Sequence, residues 1–410
     1  MQSQTNGQRY FENGARLHRM QGRGMFKCMV FGAAFAVGLT FGPSLSLAQD
    51  AGNTSVTAND QAPTVDGAKD TDETGEGTKT PVTMESTDTS ARFKQVPTGD
   101  ATSAVVFMYH RFGEIDFPST NIRKSQFEAH INELTSGKYT VIGVPEIVSA
   151  LQNGKGLPDY TVGITVDDAY RSVYDVAWPV LKKHNLPMTV FVSSEQIDAG
   201  YTNYMTWDML RDLVKDGVTI GGHTQHHSHL PSLSIEDAKA ELAHSAERFK
   251  AELGFVPDIF AYPYGEASDD VIKLVREAGY KAAFGQQSGA MNAESDMMYL
   301  PRFAMNENYG ELERFILAAE SLPLRVRDIT PSNYMLERNP PAFGFTLKEA
   351  AANIACYPSE GESTMNRLGD ERVEIRLKNP VSSGRWRINC TSMGPNGRWR
   401  WFGMLYTVPS

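Results

Sequence analysis

From residue 104 to residue 319 short apolar runs alternate with amphipathic stretches, and this alternation most constrains how the chain can fold. Residues 104–110, 162–166, 187–192, 218–222 and 281–284 read as strands, and 259–265 as a strand and turn. Helical spacing fills the intervals. Ser125 caps a helix to Leu134, Pro145 starts one through Leu151, and others cover 170–184, 207–214, 269–278 and 310–319. Ser234-Ile235-Glu236-Asp237 has the form of a capping box opening a long helix to Leu253. Strand–helix alternation of this kind builds a parallel sheet covered by helices, here closed or nearly closed into a barrel. In such folds the chemistry sits just beyond the C-terminal ends of the strands.

Two of those strand ends carry residues suited to chemistry. The run 162–166 leads directly into Asp167-Asp168. One carboxylate can bind a divalent cation while its neighbour takes a proton from water. Alternatively, Asp168 simply caps the following helix, as Asp does well. The run 218–222 leads into His223-Thr224-Gln225-His226-His227-Ser228-His229. His223 and His227 are four apart and share a face if the chain turns helically there. Two imidazoles and one carboxylate, with positions left for water, form the ligand set of a catalytic metal site. A solvated His-rich loop, or adventitious binding by His226 and His229, is the alternative.

The ends of the chain have different textures. Lys27, an apolar core over 28–41 and the small-residue exit Ser46-Leu47-Ala48 describe a secretory signal peptide over residues 1–48, cleaved near Ala48. Its core is shorter than the ~20 residues that span a bilayer, so no transmembrane anchor is expected after cleavage. Export places the protein in a periplasmic or extracellular space. Residues 49–100 are acidic and rich in Thr and Ser, with few large apolar groups, and read as a disordered linker. Without 1–48 the 39 Lys and Arg lose five and the 49 Asp and Glu lose one, a balance of −14. That charge disfavours nucleic acid as a partner. The two remaining cysteines, Cys356 and Cys390, suggest one disulfide in an oxidising compartment. Residues 101–325 form the α/β domain and 326–410 a small antiparallel β module, with strands over 372–377, 385–389 and 399–408. In that module Arg385, Trp386, Arg387, Arg398, Trp399, Arg400 and Trp401 either stack sugars and partners, or divide between packing and solvent.

Thr165-Val166-Asp167-Asp168, His223-Thr224-Gln225-His226-His227 and Ala261-Tyr262-Pro263-Tyr264-Gly265 resemble, in that order, the first three motifs of the polysaccharide deacetylases, the NodB-homology group of carbohydrate esterase family four. The resemblance spans roughly residues 104–319. It implies a distorted (β/α) barrel and metal-dependent removal of acetyl groups from N-acetylglucosamine-type polysaccharides. By position Asp167 becomes the general base, and Asp168, His223 and His227 the ligands of a divalent metal, zinc ahead of cobalt or nickel. The Tyr264 backbone N–H serves the oxyanion, and Tyr264, Pro263 and Tyr109 line the substrate. The third motif usually opens with Arg where this chain has Ala261; Arg302 is a replacement or a purely structural residue. The late Leu-x-His motif that supplies the usual acid is not apparent. Met108-Tyr109-His110-Arg111 resembles exported biofilm poly-N-acetylglucosamine deacetylases, which implies His110 as the acid, kept protonated by nearby carboxylates. Peptidoglycan deacetylation, or glycan binding without hydrolysis, stays open.

Overall fold

The structure is a computed structural model that describes residues 102–351 and 353–409. The expected signal peptide and linker lie outside the described residues. Strands and helices alternate as the sequence implies. In chain order they run β1 (Val105–Tyr109), β2 (Arg111–Phe112), β3 (Asn121–Ile122), α1 (Lys124–Leu134), β4 (Thr140–Val141), α2 (Val144–Gln152), β5 (Thr161–Val166), α3 (Trp178–Lys183) and β6 (Thr189–Val192). They continue with α4 (Ser194–Asp198), α5 (Trp207–Lys215), β7 (Thr219–Gly222), α6 (Ile235–Leu253), β8 (Ile259–Ala261), α7 (Asp269–Glu277), β9 (Ala282–Phe284), β10 (Phe303–Ala304) and α8 (Leu312–Ala319).

The main sheet is parallel, ordered β10-β1-β5-β6-β7-β8-β9, with β4 added on β5. Its two edges approach each other through one segment. Leu300 bridges Phe284, while Phe303 and Ala304 pair with Phe107 and Met108 of β1. The sheet therefore curls into a distorted barrel. Apolar residues on both faces of these strands account for their continuous burial, as in β5 and β6. Gly221 and Gly222 allow β7 to pack closely: a Cβ there would meet the Phe191 ring and the Tyr280 hydroxyl, respectively.

Local signals were partly different from expectation. Ser234 caps α6, its hydroxyl accepting from the Asp237 N–H at 3.1 Å. Ser125 does not cap α1. That helix starts two residues earlier, behind Arg123, whose N–H donates to the Gln126 side chain at 3.2 Å. The stretch after the Asp pair winds as a π-helical turn, Val173–Ala177, before α3 begins.

The C-terminal region is antiparallel apart from one short parallel pairing, Leu322 and Pro323 with Arg400 and Trp401, and is larger than three strands. It contains β11 (Leu322–Pro323), β12 (Val326–Thr330), β13 (Ala342–Leu347), β14 (Ala355–Pro358), β15 (Ser363–Leu368), β16 (Arg372–Leu377), β17 (Gly384–Met393) and β18 (Trp399–Val408). These form two four-stranded sheets, β11-β18-β17-β14 and β12-β13-β16-β15. Phe343, Phe345, Trp386 and Tyr406 fill one core between them. Cys356 and Cys390, directly opposed on β14 and β17, are joined as a disulfide. Trp401 packs edge-on against Phe303 of the barrel at 5.1 Å. Among the described residues no helix is long and apolar enough to cross a membrane.

Candidate metal centre and active site

The candidate residues converge at the C-terminal rim of the barrel, each placed there by the strand before it. Asp167 follows β5, His110 follows β1, His223 follows β7, and Tyr264 lies just past β8. A cavity of about 960 Å³ opens at this rim and is lined by His110, Asp168, His227 and Tyr264. A smaller cavity of about 140 Å³, lined by Gln287 and Tyr334 among others, contains none of these residues.

Asp168, His223 and His227 bring one ligand atom each within 4.8 Å of one another. Asp168 Oδ1 lies 3.3 Å from His223 Nε2 and 3.2 Å from His227 Nε2. Asp168 Oδ1 and His223 Nε2 are buried without a hydrogen-bond partner, which is costly for polar atoms unless something else satisfies them. His223 Nδ1 is 2.6 Å from the Ala261 carbonyl, so it donates there and leaves Nε2 with a free lone pair. Two imidazole nitrogens, a carboxylate oxygen and a side open to the cavity fit a divalent cation.

The route by which His227 joins this group differs from the helical turn read from its spacing. Residues 223–229 form a loop in which Thr224 (φ 69°) and His227 (φ 61°) are left-handed. The His227 N–H donates to the Thr224 hydroxyl at 3.0 Å, which pins the turn. Asp168 (φ 72°) and Ala169 (φ 56°) are left-handed too, so the carboxylate turns to the imidazoles instead of capping a helix. His226 and His229 stand apart from the cluster. Their Nδ1 atoms meet Glu241 at 2.6 Å and Glu266 at 2.7 Å.

Asp167 is fully buried and held by Arg302, which is also fully buried. The guanidinium grips both carboxylate oxygens, at 2.7 and 2.8 Å, and also donates to Thr165 Oγ1 at 3.0 Å and to the Gly285 carbonyl at 3.1 Å. Arg302 reaches the carboxylate from the segment that closes the barrel. Burial pushes the Asp167 carboxyl up, but Arg302 more than offsets it and the net shift is downward. Burial likewise opposes ionisation of Asp168, yet the two imidazoles hold it well below the carboxylate range. His223 is raised despite burial, because Asp168 and Asp167 favour its protonated form.

Three expectations need correction. His110 faces the cavity, but burial outweighs the attraction of Asp168 and Asp167, and its pKa falls below the usual value instead of rising. Tyr109 does not face substrate. Side chains alternate along β1, so Met108 and His110 line the cavity while Tyr109 is buried, its hydroxyl 3.0 Å from His130 Nδ1. Pro263 is buried and does not line the cavity. Tyr264 does line it, in a left-handed conformation (φ 59°), with its ring stacked on His229 at 3.9 Å. The Tyr264 N–H has no acceptor among the described residues. Reading the sequence missed this His229–Glu266 brace, as it did Tyr357 in the cavity wall.

The tryptophans and arginines of the β module lie in different settings. Trp386 is core, and Arg398 pairs with Asp159 at 2.7 Å, whereas Arg385, Arg387 and Trp401 line the cavity.

Comparison with known proteins places this architecture. Residues 154–283 match the family model of the polysaccharide deacetylases. YxkH of Bacillus subtilis is 28% identical over 215 residues, covering 52% of this chain and 75% of its own length. A poly-beta-1,6-N-acetyl-D-glucosamine N-deacetylase of Staphylococcus aureus is 26% identical over 223 residues, covering 49% of this chain and 73% of that protein. The fold matches that of the Streptococcus pyogenes deacetylase PplD with a TM-score of 0.50 at 22% identity, over 54% of this chain and 99% of that one.

Proposed function

We propose that this chain, which carries a polysaccharide deacetylase domain and so belongs with hydrolases of the amide bonds of acetylated glycans, is a metal-dependent N-deacetylase of N-acetylglucosamine-containing polysaccharide. It acts outside the cytoplasm and releases acetate and a free amino sugar. The observation that carries the reading is the pairing of two units in one rim: the Asp168–His223–His227 donor set and an Asp167 carboxylate fixed by Arg302. Relatives named for N-acetylglucosamine deacetylation support the substrate class.

Asp168, His223 and His227 would hold the cation, zinc ahead of cobalt or nickel. When bound, it supplies Lewis acidity for the acetamide carbonyl and makes nearby water more acidic. Asp167 removes the proton from the attacking water. Its two oxygens are each fixed by Arg302 and keep lone pairs, so the base is oriented and ionised. The Tyr264 N–H donates to the tetrahedral oxyanion. His110 gives a proton to the leaving nitrogen. Because burial favours neutral His110, the protonated donor is a minority form at neutral pH.

Acetate release from N-acetylglucosamine oligomers, with a metal-stripped sample alongside, tests the reading. Release that stops on stripping and returns with zinc is expected. Oligomers bound tightly but never deacetylated by the metal-loaded protein would instead mark it as a glycan-binding protein.

A further inference from the structure

The cavity over the Asp168–His223–His227 cluster has a second wall, and the β module builds it. Tyr357, Ser359, Arg385, Arg387 and Trp401 all line it. Along β17 the faces alternate, so Trp386 and Ile388 enter the module core while Arg385, Arg387 and Asn389 face the barrel mouth.

The charges around this cavity are unbalanced. Among the described residues its only carboxylate is Asp168, which belongs to the ligand cluster, yet Arg314, Arg385 and Arg387 bring three guanidiniums to the lining. Only Arg385 has a carboxylate within ion-pair reach among the described residues, and that contact is long. Arg314 donates to the Ala304 and Tyr309 carbonyls at 3.3 and 2.9 Å. Arg385 donates to the Tyr264 carbonyl at 3.2 Å, and its nearest carboxylate, Glu266, is 3.9 Å away. The Arg387 side chain makes no hydrogen bond or ion pair with any described residue. Burial, and then repulsion from Arg385, depress its pKa. A partly buried guanidinium without a partner is expensive. It stands out further in a protein whose formal charge is −10.

We propose that Arg387, seconded by Arg385, forms a subsite for an anionic group on the glycan, and that the substrate class is an acidic N-acetylated polysaccharide bearing carboxylate or phosphodiester groups. Tyr357 and Trp401 beside it offer flat faces for the sugar ring that carries the charge. This inference rests on the deacetylase reading for its substrate and adds the charge requirement. The guanidinium fork matches a carboxylate or phosphate bidentately, where a neutral sugar offers only hydroxyls.

The test compares two ligands of one skeleton, a tetrasaccharide alternating N-acetylglucosamine with glucuronic acid, and its carboxyl methyl ester. Both are titrated calorimetrically into the zinc-loaded full chain. The acid form should bind roughly tenfold more tightly than the ester, with the preference shrinking in high salt. Arg387→Gln should bring the ratio of the two affinities close to unity. Equal affinities in the wild-type protein, which need no variant, overturn the inference, as do an absence of binding by both forms and an unchanged ratio in folded Arg387→Gln. Acetate release, followed in parallel on a neutral N-acetylglucosamine tetramer, separates the two readings. Deacetylation with no charge preference in binding removes the anion subsite and leaves the enzyme. Charge-dependent binding with no acetate from any oligomer removes the enzyme and leaves the subsite.

Discussion

Replacing Arg302 by Met removes one cation from a place where nothing else can take its role. Arg302 and Asp167 are both fully buried, and their contact is bidentate. Removing one partner of a buried pair leaves an uncompensated charge and costs about 3–5 kcal/mol. Against a total stability of about 5–15 kcal/mol that is a large share, so the variant should still fold but with a markedly lower urea midpoint. The second consequence is chemical. Burial already pushes the Asp167 carboxyl up, and Arg302 is the main force holding it down. Without the guanidinium the base protonates, and turnover should fall by the ~10²–10⁴ that general base catalysis contributes. Asp167→Asn/Arg302→Met separates the two effects: it removes the stranded charge, so much of the stability should return while activity does not. Urea unfolding, zinc content and acetate release on wild type and the two variants form the assay. If Arg302→Met matched wild type in both midpoint and turnover, or if the double variant were no more stable than the single, the argument that Arg302 orients and ionises the base would fail.

Further expectations follow from the same geometry. His223→Ala or Asp168→Ala should lose bound metal and activity together, and full zinc occupancy in either would remove that residue from the ligand set. Since Asp168 and Asp167 raise the His223 pKa above its ordinary value, proton and cation compete there. Zinc retention on dialysis should therefore decline as pH drops through that raised pKa; content unchanged well into the acidic range contradicts this. Buried His130 has its pKa pushed down to about 4, against ~6.5 in the unfolded chain. Above ~6.5 both states are neutral and nothing is lost; between there and the folded value the unfolded chain takes the proton first, so stability falls by up to ~3 kcal/mol. His130→Gln should lack this component of acid sensitivity in urea midpoints measured across pH. His110→Ala should spare zinc and slow amide substrates more than an activated aryl acetate ester; equal losses on both would make His110 structural.

How much of this was legible depended on whether a residue's role followed from its neighbours in the chain. Asp167, Asp168 and His223 were readable because each directly follows an apolar strand, and parallel strands all end on one rim. The Ser234 cap was readable for the same local reason. Arg302 could only be a candidate, because its partner is 135 positions away and only barrel closure brings them together. Tyr109 was misassigned as a consequence of adjacency, since period-two alternation sends it away from the cavity that its neighbour His110 lines. The pKa of His110 was misjudged because sequence shows the nearby carboxylates but not the burial that outweighs them. Arg385 and Arg387 were visible as residues, but not as a cavity wall, because that requires the packing of one unit on the other.

The helical turn expected for residues 223–227 failed for a reason that extends across the whole rim. Asp168, Ala169, Thr224, His227 and Tyr264 are all left-handed and none is glycine. Such residues cost of order 1–3 kcal/mol each where their surroundings force the conformation. Nothing in a side chain such as Thr or His advertises that conformation, so propensity reads the segment as ordinary helix or loop. The surroundings supply what propensity lacks: the Thr224 hydroxyl holds the His227 N–H, and His229, fixed by Glu266, stacks on the Tyr264 ring. Each left-handed residue at the rim turns a ligand, or a backbone segment beside one, away from the path that regular structure would impose. The strain is concentrated on three loops that carry Asp168, His227 and Tyr264, while the strands beneath them lie inside the parallel sheet with a neighbour on each side. A rigid barrel can hold several strained loops at once because the cost is spread over a large core. The same barrel keeps Asp167 and Arg302 together, so the strained ligand loops and the buried ion pair depend on one closure, the Leu300 to Ala304 segment that joins both sheet edges.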